Sequence, residues 1–442
     1  MENLMDKIVS LTKRRGFVFL SSEIYGGFSS CYDYGPLGVE MKNNIKKLWW
    51  DEMTKMHDNI VGLDASILMS PKVWEASGHL TAGFADELVE CKKCHHRFRK
   101  DFLEKNKCPD CNGELTEPRK FNLMMKTFIG PVEDEKNIAY LRAETCQGIY
   151  VNFKNVMNSM RLKIPFGIAQ IGKSFRNEIT PKDFIYRTRE FEQMEMQWFC
   201  RPEEADKFFD YWKNERINWY LNLGIKKENL RARETPKEEL AHYARKAFDI
   251  EYNFPFGWKE IEGVHNRGDW DLSNHSKHSG ENLNYFDEKE KKYFYPYIIE
   301  TSVGVERSLF AFLCDSYEEI IGGRTKTTEA KKEKEIVLKL DKKLAPIKVA
   351  VFPLVKNNEK IIQKSKEVYK MLKTDFVCFY DENDSIGRRY RRQDECGTPF
   401  DITIDFESLE KDDVTVRDRD TMNQERIGIS KLKPFLEEKL KK

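Results

Sequence analysis

Between Phe175 and Glu195 the chain carries two alternating segments joined by a short polar connector. The first reads Phe175-Arg176-Asn177-Glu178-Ile179, the second Arg187-Thr188-Arg189-Glu190-Phe191-Glu192-Gln193-Met194-Glu195. Successive side chains of a strand point to opposite faces. Arg176 and Glu178 therefore share a face. So do Arg187, Arg189, Phe191, Gln193 and Glu195, while Met194, Met196 and Trp198 point the other way. The pattern demands a hairpin with one apolar face that can pack and one face that collects guanidiniums, a ring and carboxylates. That inventory suits a nucleotide, with arginines for phosphates, the ring for the base and carboxylates for amino groups. A half-exposed hairpin laced with surface salt bridges accounts for the same charges.

A chain of 442 residues can hold two or three domains and a large core. Its apolar content of 40% and aromatic content of 12% exclude a disordered chain. Charged residues make up 34% yet nearly cancel, leaving a formal net charge of +1, so any grip on a phosphate backbone must be local. The start, Met1-Glu2-Asn3-Leu4, has no signal-peptide pattern, and no apolar run reaches membrane-spanning length. Of ten cysteines, four are clustered and six scattered, which fits a reducing, cytoplasmic compartment and a metal site. The cluster is Cys91-Lys92-Lys93-Cys94 followed, thirteen residues on, by Cys108-Pro109-Asp110-Cys111, with Gly113 for the tight turn. Two such knuckles match a four-thiolate zinc site, structural because it leaves no open position. His95 and His96 beside it read as surface residues.

Gly35-Pro36-Leu37-Gly38 forms a turn before an amphipathic helix over Val39–Met53, and Ala65–Ser70 reads as a strand ending at Pro71. In Arg142-Ala143-Glu144-Thr145-Cys146-Gln147-Gly148, Arg142 and Glu144 can line one face of a strand or turn. Pro202–Leu223 has helical spacing, and Thr235-Pro236-Lys237-Glu238-Glu239 predicts a helix running to about Phe248. Strands are expected over Asp249–Asn253 and Gly257–Val264. On the latter, Glu260 and Glu262 share a face, either as a Mg²⁺ pair beside phosphates or as a solvated edge. Asn266–Asp271 reads as a polar loop. Tyr297–Arg307 reads as strand, turn and helix, with Val305, Leu309, Phe312 and Leu313 on the buried side. Arg307 in the first turn opposes the helix dipole, which a bound anion or a salt bridge would explain.

Glu329–Lys343, dense in Lys and Glu, reads as a linker helix or exposed hairpin. Beyond it, strands at Ile347–Leu354, Phe376–Tyr380, Phe400–Phe406 and Val414–Arg417 alternate with helices at Glu359–Leu372, from Ile386, and at Lys431–Leu440, implying a small α/β unit. Arg388, Arg389, Arg391 and Arg392 around Tyr390 suit RNA contact; Asp394 and Glu395 make an internal salt-bridge network an equal reading.

Taken in order, these segments resemble the class II glycyl-tRNA synthetases of the dimeric type over nearly the whole chain. The helix–strand–Pro71 element resembles the first class II motif, Phe175–Glu195 the second and Gly304-Val305-Glu306-Arg307 the third. Glycine specificity of the resemblance rests on Ser22-Glu23-Ile24-Tyr25-Gly26-Gly27, Asp33-Tyr34-Gly35-Pro36-Leu37-Gly38, Trp74-Glu75-Ala76-Ser77-Gly78-His79 and Arg189–Glu195. It implies an α+β fold: an antiparallel sheet flanked by helices in a catalytic domain over 1–335. That domain would carry a zinc-binding insertion at about 88–120 and a helical insertion at about 200–248, with an anticodon-binding domain over 345–442. It further implies ATP-dependent ligation of glycine to tRNA(Gly) through glycyl-adenylate by a cytoplasmic homodimer that uses Mg²⁺, with diadenosine polyphosphates as a possible side product.

By the same resemblance, Arg176 and Arg307 are the catalytic arginines, on the α- and γ-phosphates. Phe191 stacks on adenine and Glu178 reads its amino group. Asn177, Tyr186, Arg187, Glu260, Ile261 and Gly304 complete the ATP site, with Glu260 a Mg²⁺ candidate. Arg99, Glu144, Phe191, Glu195, Glu300 and Ser302 surround glycine. The family usually has Pro where Ala143 and Thr301 stand and Ala at Cys146, departures that remove no charged or hydrogen-bonding group from the site. Rival readings are a non-catalytic relative, a class II ligase for another amino acid and a zinc-ribbon nucleic-acid binder. The first should lack Arg176, Glu178 or Arg307, and all three are present.

Overall fold

The computed structural model describes residues 3–81, 84–103, 105–179, 183–241, 243–324 and 334–441. Helix α1 (Leu4–Arg14) starts at Asn3, whose side chain accepts the Asp6 N–H. Helix α2 (Pro36–Lys55) opens with Pro36 in its first turn and buries Met41, Ile45, Trp49 and Met53 along one stripe. Gly38 lets its first turn press on the preceding segment, since a Cβ there would lie 1.9 Å from the Phe17 carbonyl oxygen. Strand β1 (Ile60–Gly62) follows. It replaces the strand expected at Ala65–Ser70, where Leu68 makes only an isolated bridge to Leu141.

Strands β2 (Phe166–Phe175) and β3 (Glu190–Cys200) are the predicted hairpin, joined antiparallel with Glu195 opposite Gln170. Both are shorter at the polar end than the alternation implied. Arg176, Glu178, Arg187 and Arg189 lie beyond the strand ends, so parity does not govern them. Arg189 turns away to the Ser29 and Glu178 carbonyls. Helix α3 (Ala205–Asn222) comes next, then β4 (Leu230–Glu234), β5 (Lys246–Phe254) and β6 (Gly257–Gly268). The helix expected from Thr235 is one short turn, Lys237–Glu239, before β5 begins. Within the segment expected as a helical insertion at about 200–248, α3 packs on the central sheet and β4 is the edge strand of that sheet. The Asn266–Asp271 loop is corrected too, because β6 continues to Gly268 and α4 (Trp270–Ser279) follows at once.

Strand β7 (Tyr297–Gly304) runs directly into α5 (Val305–Ser316) with no intervening turn. The central sheet has the order β4-β5-β6-β7-β3-β2-β1, antiparallel except for the β1–β2 pair. Met194, Met196 and Trp198 face a core shared with α2, α3 and α5. The opposite face holds a smaller core around Phe166, Ile168, Phe199 and Leu272 and, beside it, an open cleft.

One irregularity re-aims a strand. Ile250 pairs with Glu262 but Glu251 with Glu260, so Ile261 is an extra residue in β6, a β-bulge. Glu260 therefore faces the cleft, while Glu262 is buried on the helix side against Arg216, Nε to Oε1 2.6 Å. The expected same-face carboxylate pair does not exist.

Residues 329–333 of the Glu329–Lys343 stretch lie outside the described residues; Lys334–Leu338 is a strand paired antiparallel with Tyr317–Ile321, half buried and not exposed. A second core belongs to β8 (Val349–Pro353), α6 (Glu359–Leu372), β9 (Cys378–Tyr380), α7 (Ile386–Cys396), β10 (Phe400–Ile404), β11 (Asp413–Asp418), β12 (Gln424–Gly428) and α8 (Ile429–Lys441). Its sheet order is β9-β8-β10-β11-β12, parallel across the first three strands and antiparallel beyond.

Candidate active site

Two differently charged halves meet in one cleft of about 270 Å³ at the open end of β3, β6 and β7. Arg176, Arg187 and Arg307 line one half with Glu178, Tyr186, Phe191, Glu260 and Gly304. The Arg176 guanidinium lies 5.4 Å from the Phe191 ring centre and its Nε donates to the Ala143 carbonyl. Arg187 pairs with Glu178 at 3.0 Å. Arg307 lies 4.6 Å from the Tyr186 ring centre and 3.1 Å from Glu260. Burial is the largest single influence on Glu260 and opposes its ionisation, but Arg307, His265 and Arg176 together outweigh it and hold the carboxyl below its usual range. The cation at the start of α5 thus has a carboxylate partner and still faces open space. Glu306 beside it is buried and ties α5 to its neighbours, at 2.6 Å from Lys42 and accepting the Glu192 N–H.

The other half is acidic. Glu144, Glu195 and Glu300 converge with Gln193, Ser302, His265, Arg267 and Tyr243. One oxygen each of Glu195 and Glu300 and the Cys146 Sγ lie within 4.8 Å of one another. Glu195 accepts from Ser302 Oγ at 2.6 Å, from Gln193 Nε2 at 3.0 Å and from the Thr145 hydroxyl. Burial, then Glu300 and Glu144, push its carboxyl up to about 7 despite these donors. Glu300 is also buried, yet Arg267 and His265 bring it down to about 2. Arg267 reaches it at 3.3 Å while chelating Asp271 at 2.7 and 2.8 Å. Glu144 is likewise held down against burial by His79, 3.4 Å away, which is itself braced by Ser77. The three carboxylates are therefore unequal, and their convergence suits a cation.

Two family models cover most of the chain. The tRNA synthetase class II core domain (G, H, P, S and T) matches residues 128–316, and the anticodon binding domain matches 348–439. A glycine–tRNA ligase of Treponema denticola is 54% identical over 437 residues, spanning 97% of this chain and 95% of the relative. The glycine–tRNA ligases of Thermobifida fusca and Caldanaerobacter subterraneus subsp. tengcongensis are 50% and 51% identical, each covering 99% of this chain and 98% of the relative. This chain belongs to the glycine–tRNA ligase family. Such a ligase charges tRNA with glycine, at the expense of ATP as throughout the class II synthetases.

Most residues expected in the ligase's cleft line it, and Arg176, Phe191 and Arg307 stand together there. Three do not. Ile261 is fully buried in the core by the bulge. Asn177 lies off the cleft lining, with its backbone N–H on the Leu123 carbonyl. Arg99 pairs with Asp86 and Asp101 and lies 4.6 Å from the Phe102 ring centre, which it shares with Arg187, so it borders the Glu178 half and not the acidic chamber. Arg142, paired with Glu144 by parity, is buried elsewhere, donating to the Ala65 and Lys173 carbonyls. Gly172 makes room for it, since a Cβ there would meet Nη2 at 2.0 Å.

Sequence reading missed Gln193 as a lining group, His79, His265 and Arg267. His79 closes a string already conspicuous in the sequence. His265 and Arg267 alternate along the continuation of β6, a signal hidden by the bulge.

The four clustered cysteines converge: Cys91–Cys111 and Cys94–Cys108 Sγ separations are 3.4 and 3.6 Å, and all four sulfurs lie within 4.8 Å. Sulfurs about 2.3 Å from a tetrahedral ion are about 3.8 Å apart, so the set fits zinc. A Cβ on Gly113 would sit 3.0 Å from the Cys91 sulfur, leaving glycine the residue that fits the cradle. The Cys94 and Lys93 N–H groups draw the Cys91 thiol down to about 6. His95 and His96 are exposed as expected.

The four C-terminal arginines are not one surface. Arg389 is buried on the Pro353 and Asp381 carbonyls. Arg392 pairs with Asp381 and Asp384, Arg391 is buried, and Arg388 is exposed.

Proposed function

We propose that the ligase works in two steps at this cleft: the glycine carboxylate attacks the α-phosphorus of ATP to give glycyl-adenylate and pyrophosphate, and a terminal ribose hydroxyl of tRNA(Gly) then takes the glycyl group, releasing AMP. In-line attack forms the carboxylate–phosphorus bond as the bridging bond to pyrophosphate breaks. Arg176 neutralises the α-phosphate and Arg307 the γ-phosphate. Phe191 stacks on adenine and Glu178 accepts its amino group, with Tyr186, Arg187 and Gly304 completing the wall. The observation that carries the reading is the union of three arginines and one ring with three unequal carboxylates in a single cleft. Catalysis on this account is positioning and charge neutralisation, with no covalent nucleophile.

Glycine's ammonium sits among Glu144, Glu195 and Glu300, with Ser302 beside it. Glu195 and Glu300, with Cys146 beside them within 4.8 Å, occupy the volume a larger side chain needs, so selectivity is by clash. Mg²⁺ would be held by Glu260 with the phosphates, a one-carboxylate arrangement that suits this ion, and it supplies further charge neutralisation. Zinc would sit in the four cysteines as a structural ion. The same cleft could take ATP as a second acceptor and yield diadenosine polyphosphates. We assign residues 1–335 to catalysis and 345–442 to tRNA binding, the enzyme to the cytoplasm, where free thiols persist, and its assembly to a homodimer built on α2, in line with the first class II motif.

Glycine-dependent exchange of pyrophosphate into ATP tests the first step. Arg176→Ala should lose about 3 kcal/mol of activation, roughly a hundredfold in rate. An Arg176→Ala protein with undiminished exchange overturns the assignment.

A further inference from the structure

Tyr243 belongs to the connection between β4 and β5, outside the sheet, yet it lines the cleft beside Glu144, Glu195 and Glu300. Its ring covers the Arg267 guanidinium, whose carbon lies 3.7 Å from the ring centre. That guanidinium cannot slide, because its Nε and Nη2 chelate Asp271 and its Nη1 reaches Glu300 at 3.3 Å. The ring is also braced from the side, edge-on to His265 at 6.4 Å and tilted against Trp270 at 6.1 Å between ring centres. Burial pushes the phenol up; Arg267 opposes this and Glu300 and Glu144 add to it, so the hydroxyl keeps its proton beside the carboxylates.

Glu195, Glu300 and Arg267 rise from β3, β7 and β6 into the cleft. A ring lying over the Arg267 guanidinium is therefore one layer further from the sheet than the carboxylates. The amino-acid chamber has two walls, one borne by the sheet and one made by Tyr243. We propose that Tyr243 is a specificity-determining residue of the ligase, the wall that closes this chamber on the side away from the sheet. This role presupposes the adenylate chemistry proposed above, with glycine's ammonium among the three carboxylates and its carboxylate turned to ATP. Those two anchors fix Cα between the walls, so one α-hydrogen points to the sheet and the other to Tyr243. A methyl in place of one hydrogen makes one enantiomer of alanine, and in place of the other its mirror image. Selectivity by clash is then divided: Glu195, Glu300 and Cys146 exclude one enantiomer, and the Tyr243 ring excludes the other.

The test compares pyrophosphate exchange driven by glycine, L-alanine and D-alanine in wild type, Tyr243→Phe, Tyr243→Leu and Tyr243→Ala. Wild type and Tyr243→Phe, which both keep the ring, should reject both alanines. Tyr243→Ala should raise kcat/KM for one enantiomer about tenfold or more, the range that one methyl commands in a pocket, and leave the other at the wild-type level. General loosening of the site lowers exchange with every substrate; only a removed wall admits a new one. Tyr243→Leu keeps an apolar side chain in the connection and shows the same one-sided gain should Tyr243→Ala not fold. A gain for neither enantiomer or for both in the folded variants, or a Tyr243→Phe protein that gains as much as Tyr243→Ala, overturns the assignment. Wild type without glycine-dependent exchange would sink the adenylate chemistry itself, whereas normal wild-type exchange with unchanged discrimination in the variants sinks the Tyr243 wall alone.

Discussion

Glu195 is the most exacting point in the proposed mechanism because its carboxyl is raised to about 7 in the empty chamber. Glycine's ammonium needs it ionised. At pH 6 a carboxyl titrating near 7 is about one-tenth ionised, and at pH 8 about nine-tenths. The glycine KM in pyrophosphate exchange should therefore rise about tenfold from pH 8 to pH 6, about 1.4 kcal/mol of lost binding. The ATP KM should move far less, since Glu260 in the arginine half is held below its usual range. The charged and titratable groups acting on Glu195 are Glu144, Glu300, Cys146 and, from the other side, Arg142, with His265 behind Glu300. Glu144 and Glu300 stay ionised throughout this window, and burial pushes the Cys146 thiol well up and out of it. His265 is raised above its ordinary value and could imitate the effect by losing its proton. Glu195→Gln separates the two: it should raise the glycine KM at pH 8 and flatten the slope. A flat wild-type profile, or an unchanged slope in Glu195→Gln, refutes the reasoning.

Other substitutions probe the scaffold. Arg216 and Glu262 are fully buried partners at 2.6 Å, so Arg216→Met should destabilise by about 3–5 kcal/mol, read by denaturant unfolding. Arg216→Met combined with Glu262→Leu should recover most of that loss, and a double variant as unstable as the single one would count against the pair. Metal analysis should find one zinc per chain, lost in Cys108→Ser. Phe84, at the root of the cysteine unit, lies 5.6 Å from the Arg176 guanidinium, so the metal-free variant should also raise the ATP KM. A normal zinc content in Cys108→Ser would reject the site.

Much of the fold was legible where a strand or helix buries one regular stripe. The helix over Pro36–Lys55, the alternation of Phe191 to Glu195 and the C-terminal succession of strands and helices obey simple periods. The cysteine knuckles were legible because ligand spacing is local. Failures came where a partner distant in sequence decides. Thr235–Phe248 has a good helix start, but Phe248 and Ile250 are needed in the core beside Val264, and strand pairing overrides the local preference. The four C-terminal arginines could be told apart only by which carbonyls and carboxylates surround them.

The bulge at Ile261 shows why the site's last details resist sequence reading. Regular alternation would send Glu260 and Glu262 to one side, and either the cleft or the core would then hold both. Both in the core would leave one carboxylate buried without Arg216. Both in the cleft would leave Arg216 buried alone and put a second acid against the phosphates. One extra residue resolves the conflict: Glu260 meets Arg307, Glu262 meets Arg216, and beyond it Gly263, His265 and Arg267 are brought onto the cleft face. The same shift that removes the acidic pair thus delivers the two cations that hold Glu300 ionised. Deleting Ile261 should therefore cost stability, by loss of a fully buried side chain, without re-aiming the site. Glu260 stays opposite Glu251 and Glu262 opposite Ile250, now in regular alternation, so His265 and Arg267 keep the cleft face and glycine-dependent exchange should persist in protein that folds; a folded deletion variant without exchange would show that the extra residue does more than reset the faces.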